Sequence, residues 1–154
     1  LSPGLGRAPK GSQPLNHNWV SHLSAEVRER LVHAGVCRET ALAEEVAQVA
    51  ADQALLLPPG LPALEAFLQS LPPTESICVY VDCESFHPSY FPGVSGPDVS
   101  GLEAAEACGL GRLLAQTRLE ALLFANYNPA VEARRSGDFL IYLLHSLLQA
   151  QGNN

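Results

Sequence analysis

The sequence predicts an α/β fold, a three-layer α/β/α arrangement around a small, mostly parallel sheet. Two observations carry this expectation. The runs Ile77-Cys78-Val79-Tyr80-Val81 and Leu119 to Phe124 are apolar without alternation, as strands buried on both faces are. Segments with apolar residues at helical spacing alternate with these runs, which is how a parallel sheet covered by helices reads.

The elements follow in order. Residues 1–18 are rich in Gly, Pro, Ser and Asn, show no apolar period and are expected to be a flexible leader. Residues 19–150 are then expected to form a single α/β domain, with Trp19 packed at its start as an anchor. Ser24 is placed as the N-cap of a first helix that carries Val27, Leu31 and Val32 on one face up to Gly35. A second helix is expected over 38–51, with Ala41, Leu42, Val46 and Val49 at three- and four-residue spacing. Ala54 to Leu57 fits either a short buried strand or the end of that helix. After the turn Pro58-Pro59-Gly60, residues 62–71 carry Leu64, Phe67, Leu68 and Leu71 in helical register until Pro72-Pro73 stops them. The strand at 77–81 ends in Asp82-Cys83-Glu84, and a Pro/Gly-rich loop runs to Gly101. Residues 102–116 read as a helix that can break between Gly109 and Gly111. The second strand closes with Asn126-Tyr127-Asn128-Pro129. Residues 137–149 form a last helix, apolar on most sides and so expected to pack on the sheet.

Composition narrows the function classes. A chain of 154 residues holds one compact domain, and 47% hydrophobic with 16% charged residues is a globular balance. The net charge of −7, with Lys10 the single lysine, speaks against a nucleic-acid partner, whose phosphates require clustered Lys and Arg. No apolar run reaches the roughly 18–20 residues of a membrane helix, so no membrane partner is expected. The sequence contains no Met, so it is expected not to begin at its own initiator but to be a processed, tagged or excised piece, which leaves room for a leader that has been removed. Cys37, Cys78, Cys83 and Cys108 form no CxxC pair and no zinc spacing. They are expected to be reduced, with Cys78 buried, in an intracellular compartment, cytoplasmic or mitochondrial.

In parallel α/β sheets ligands bind beyond the carboxyl ends of strands. Asp82-Cys83-Glu84-Ser85-Phe86-His87-Pro88 occupies that position. Asp82 and Glu84 are carboxylates two residues apart, which suits hard divalent cations such as manganese, and His87 can add a nitrogen. The plainer alternative is a polar strand end whose groups face water or cap a helix.

The stretch from Asp82 to Leu102, DCESFHPSYFPGVSGPDVSGL, resembles the DxDx(F/L)DPxxxPGxxxPxxxGL stretch of the arginase/agmatinase/formiminoglutamase (ureohydrolase) family. Pro88, Pro92, Gly93, Pro97, Gly101 and Leu102 fall at the family's offsets without a gap. Asn126-Tyr127-Asn128-Pro129 matches the family's EVNP, and Arg135-Ser136 its Arg-Thr pair before a final helix. The resemblance covers 76–150, about half of the chain, and implies the C-terminal part of the arginase fold.

The resemblance also implies a degenerate site. The family's first two aspartates bridge two manganese ions; the first is kept as Asp82, the second is Glu84, one methylene longer, and bridging ligands tolerate little displacement. The aspartate before the proline is His87. The EVNP glutamate, which in the family receives the guanidinium, is Asn126, and a neutral amide offers no charge-assisted bidentate pairing. The motifs GGDHS and DAHxD, which supply the family's other ligands, occur nowhere in the sequence. The expectation is therefore a non-catalytic domain with no cofactor and with Asp82, Glu84 and His87 as a remnant metal site. A truncated sheet leaves an edge to be covered by the N-terminal helices, a protein partner or an oligomer. The alternative is a fragment of a manganese-dependent amidinohydrolase completed by another polypeptide.

Other candidates have plainer readings. His17, His22 and His33 are expected to be solvent-exposed, and His145 a hydrogen-bonded core or rim residue. Cys83 and His87, four apart at a strand end, do not meet as a nucleophile and base unless the loop folds back. Ser95-Gly96-Pro97 has no triad context.

Overall fold

The computed structural model describes residues 23–34, 55–58, 60–97, 99 and 101–152. The chain divides into two compact units, Leu1–Gly60 and Leu61–Asn154. The expected leader, Trp19, His17, His22, Cys37 and the helix expected over 38–51 lie outside the described residues.

In the first unit, helix α1 spans Ala25–Glu29. Ser24 caps it as expected, its hydroxyl accepting from the Val27 amide at 3.4 Å. The helix is shorter than its apolar spacing implied. Arg30 and Leu31 close it by donating to the Val27 and Arg28 carbonyls at 3.2 and 3.1 Å, the tightened geometry of a helix end. The chain then enters strand β1, Val32–His33, so Val32 leaves the helix face on which its spacing placed it. A β-branched residue is at ease in an extended backbone. Strand β2, Leu55–Leu56, pairs parallel with β1, Val32 opposite Leu55. Ala54 lies outside the described residues. Leu55–Leu56 form a strand and not a helix end, but Leu55 is 46% exposed where a buried strand is expected. Leu57 donates to the His33 carbonyl at 2.8 Å.

The second unit opens with helix α2, Leu61–Ser70. Pro62 sits in its first turn, where no amide hydrogen bond is lost; Leu64, Phe67 and Leu68 are half-buried on it, as is Leu71 just past its end. Strand β3, Ser76–Asp82, runs parallel to β4, Arg118–Ala125, from Ser76 opposite Arg118 to Asp82 opposite Ala125. Between them come a 3₁₀ turn, Cys83–Ser85, a loop, and helix α3, Ala104–Leu114. Helix α4, Arg134–Gly152, ends the unit. The parallel sheet is small, as the sequence predicted. Among the described residues no helix is long and apolar enough to cross a membrane.

Burial deepens along β3 toward its carboxyl end, where Val81 is wholly buried and Asp82 is 5% exposed. Cys78, expected to be buried, is exposed. It lies beside the register shift at Ile77/Cys78, on the same strand face as Tyr80 and its register partner Leu123, which is 54% exposed. The apolar run therefore does not mean full burial on both faces along its whole length.

Helix α3 does not break at Gly109–Gly111. Gly111 is instead a point of close approach: a Cβ there would stand 2.8 Å from the Leu143 carbonyl oxygen of α4. Only a bare α-carbon lets the two helices cross so near. The core that results joins Leu110 and Leu114 of α3 to Phe139, Leu143 and Leu147 of α4. The other side of α4 leaves Ile141, Tyr142, Leu144 and Leu148 exposed, and His145 lies there too.

Candidate functional site

The register places Asp82 opposite Ala125, so Asn126 follows on the neighbouring strand. The carboxyl ends of β3 and β4 thus set Asp82 beside the start of the Asn126 turn, while Glu84 and His87 lie in the 3₁₀ turn and loop that follow β3. Asp82, Glu84 and His87 are each engaged locally. The Asp82 Oδ1 accepts from the Glu84 amide at 3.0 Å and caps the 3₁₀ turn. Glu84 is half-buried, and its Oε1 reaches across the loop to accept from the Gly96 amide at 2.9 Å. Burial raises the Glu84 pKa, the Asp82 charge raises it further, and the Gly96 hydrogen bond opposes both. Glu84 thus ties Gly96 of the Ser95-Gly96-Pro97 segment to the strand end.

Cys83 points into the core and is wholly buried. Burial first, then the charges of Asp82 and Glu84, push its thiol up to about 12, so no thiolate nucleophile forms near neutral pH. His87 turns to its own loop: Nδ1 accepts from the Ser89 amide at 3.2 Å and the ring packs against Tyr90, centroids 6.2 Å apart. Asn126 has a left-handed backbone, φ 61°, which asparagine tolerates better than most residues. Among the described residues, no group of three or more His, Cys, Asp or Glu side chains gathers as a ligand set would. Asp82 and Glu84 alone do not fit a bridged pair of manganese ions, which needs several carboxylate and imidazole donors on common metals.

The loop after the strand is held at both ends. Phe86 bridges Leu102 in parallel; His87 donates to the Leu102 carbonyl at 2.9 Å, and Leu102 to the Ser85 carbonyl at 2.7 Å. Gly101 permits this contact, since a Cβ there would lie 2.5 Å from the Phe86 carbonyl carbon. Phe86 packs tilted and Phe91 edge-on against Phe139 of α4, at 4.9 and 5.7 Å between centroids.

One polar cluster was missed by sequence reasoning. Glu132, just before α4, accepts from the Arg135 amide at 2.8 Å, the Ser136 amide at 2.9 Å and the Ser136 hydroxyl at 3.0 Å. These bonds, that of Arg135 first, lower its pKa. The wholly buried Ser136 hydroxyl also accepts from the Gly93 amide at 2.8 Å, linking loop and helix. The available signal was an acid one turn before Ser136 at a helix start, where a carboxylate meets unpaired amides.

Comparison with solved structures decides the fold. The chain superposes on formimidoylglutamase from Bacillus subtilis with a TM-score of 0.80 at 16% identity, over 97% of this chain and 51% of that one. A Trypanosoma cruzi formiminoglutamase solved with Mn²⁺ gives 0.77 at 22% identity, over 97% and 54%. The fold is arginase-like. Entamoeba histolytica arginase, solved with L-ornithine, agrees at 0.68 and 14% identity over 79% of this chain and 43% of its own. No family model and no curated protein matches the sequence. The chain spans about half the length of these arginase-like structures.

Proposed function

We propose that the chain is a non-catalytic, ureohydrolase-like domain that acts in protein–protein interaction within a larger intracellular assembly. The observation that carries this reading is the use of Glu84. The residue at the position of the family's second bridging aspartate spends its carboxylate on the Gly96 amide, and Asp82 caps the turn beside it. A hydrolytic binuclear centre must activate a bound water and needs its full ligand set for that. Asn126 supports the same reading, since its amide cannot pair bidentately with a guanidinium. The exposed Leu123, Ile141, Leu144 and Leu148 offer apolar surface to a partner. Asp82, Glu84 and His87 are then the remnant of a metal site, and no cofactor is required.

A second reading keeps the chemistry: the chain is part of a manganese-dependent amidinohydrolase, completed by another polypeptide. It is favoured by the match to only 54% of a formiminoglutamase that was solved with Mn²⁺. The two readings separate on metal and turnover. Elemental analysis of the purified chain, alone and with its copurifying partner, is paired with assays for urea or formamide release from arginine, agmatine and formiminoglutamate. The proposal expects substoichiometric manganese and no product. Two manganese ions per complex with product release would establish the second reading instead.

A further inference from the structure

A cleft separate from the strand ends lies along the first turns of α4, beside the loop after β3 and the start of α3. Its wider part, about 630 Å³, is lined by Tyr90, Arg134, Arg135 and Asp138 among others. A narrower part of about 300 Å³ is lined by Ala107, Cys108 and Leu143 and is wholly apolar. Ala104, Phe139 and Tyr142 line both, so the two adjoin. Each falls in the size range of small-molecule sites. Asp82, Glu84, His87 and Asn126 take no part in either.

Polarity changes in one direction along this cleft. At the start of α4, Glu132 also lines the wall, but its carboxylate is taken up by the backbone amides of Arg135 and Ser136. The Arg135 guanidinium donates to the Ser89 carbonyl at 3.4 Å, which keeps it beside the loop and leaves most of its donors open. Asp138 lies one helical turn beyond Arg134, on the same face. Tyr142 follows Asp138 by another turn, and Phe139 follows Arg135. Any surface pairing between Arg134 and Asp138 is weak enough for a ligand to replace it.

A simple apolar carboxylate would bring its charge beside Asp138, and a simple amine would meet two guanidinium groups. A head group that carries both charges on adjacent atoms suits all three side chains. We propose that this cleft binds a free L-α-amino acid with an apolar side chain. Its carboxylate meets Arg134 and Arg135 and its ammonium meets Asp138. Its side chain runs past Phe139 and Tyr142 into the recess beside Ala107 and Cys108. The inference is independent of whether the strand ends hold a metal.

The test is isothermal titration calorimetry of the full chain with L-phenylalanine and L-leucine. 3-Phenylpropionate, which lacks the ammonium, and phenethylamine, which lacks the carboxylate, serve as controls. The variants are Arg134→Ala/Arg135→Ala and Asp138→Asn, all at exposed positions, with thermal melts to confirm folding. Saturable binding is expected for the amino acids. Each control and each variant should bind at least about tenfold more weakly, because each loses a charge-assisted contact. The proposal is overturned if neither amino acid binds. It fails equally if a control binds within about twofold of L-phenylalanine, or if the double arginine variant binds as the parent does.

Discussion

Two glutamates in this chain do opposite things to stability. Glu84 has a raised pKa, because its charge is partly withdrawn from water and faces Asp82. Its contribution is therefore fully present below the ordinary glutamate value of 4.5 and is lost as pH rises through the raised value. Glu84→Gln keeps an oxygen for the Gly96 amide while removing the charge. It should gain on the parent across that window, by less than about 1 kcal/mol given the residue's exposure. Urea unfolding at a series of pH values measures the gap, and a gap independent of pH would contradict the raised pKa. Glu132 behaves in reverse. Its pKa is lowered by backbone amides, so its contribution is present above the ordinary range and disappears as pH falls through the lowered value. Glu132→Gln should lower the melting temperature at neutral pH, and the loss should shrink on acidification. Neither role was legible in the sequence. The Gly96 amide that holds Glu84 is twelve residues away across a loop, and an acid before a helix reads equally well as a solvated charge.

The elements were more legible than the bonds between them. Helix α2 and strand β3 follow from apolar spacing and from the proline pairs that bound them, because those signals are local. Strands β1 and β2 are two residues each and are defined by their mutual pairing across the intervening chain, so the local pattern left β2 open between strand and helix end and gave no sign of β1. In the sequence Gly111 marks a place to break and in the structure a place to touch, a distinction that depends on where α4 lies. Gly111→Ala should therefore force α3 and α4 apart and cost about 1–3 kcal/mol, as overpacked contacts do. Leu143→Ala, at a side chain only 1% exposed, should cost about 2–5 kcal/mol by opening a cavity. Denaturant midpoints at constant m-value would measure both. An alanine at 111 that left the midpoint unchanged would show that the helices yield.

At the scale of the whole molecule, the arginase-like fold is present in about half the length of the structures it resembles, and apolar residues remain on its surface. The proposed interaction role makes α4 informative, because its outer residues carry little of the fold's own stability. Leu144→Glu/Leu148→Glu should change unfolding free energy by no more than about 0.5 kcal/mol per site, yet disperse any complex or oligomer that uses this face. Light scattering coupled to size-exclusion chromatography reports the mass. The loop after β3 has a separate consequence for experiment. Because Phe86 and Leu102 stand side by side, the intervening segment is a detour that departs from and returns to one place. Closure entropy grows slowly, by about 0.6 kcal/mol for each doubling of length. An epitope spliced in at Val99, which is 79% exposed, can thus lengthen the excursion without displacing α3. That gives a handle for following the chain that leaves both its amino and carboxyl ends untouched.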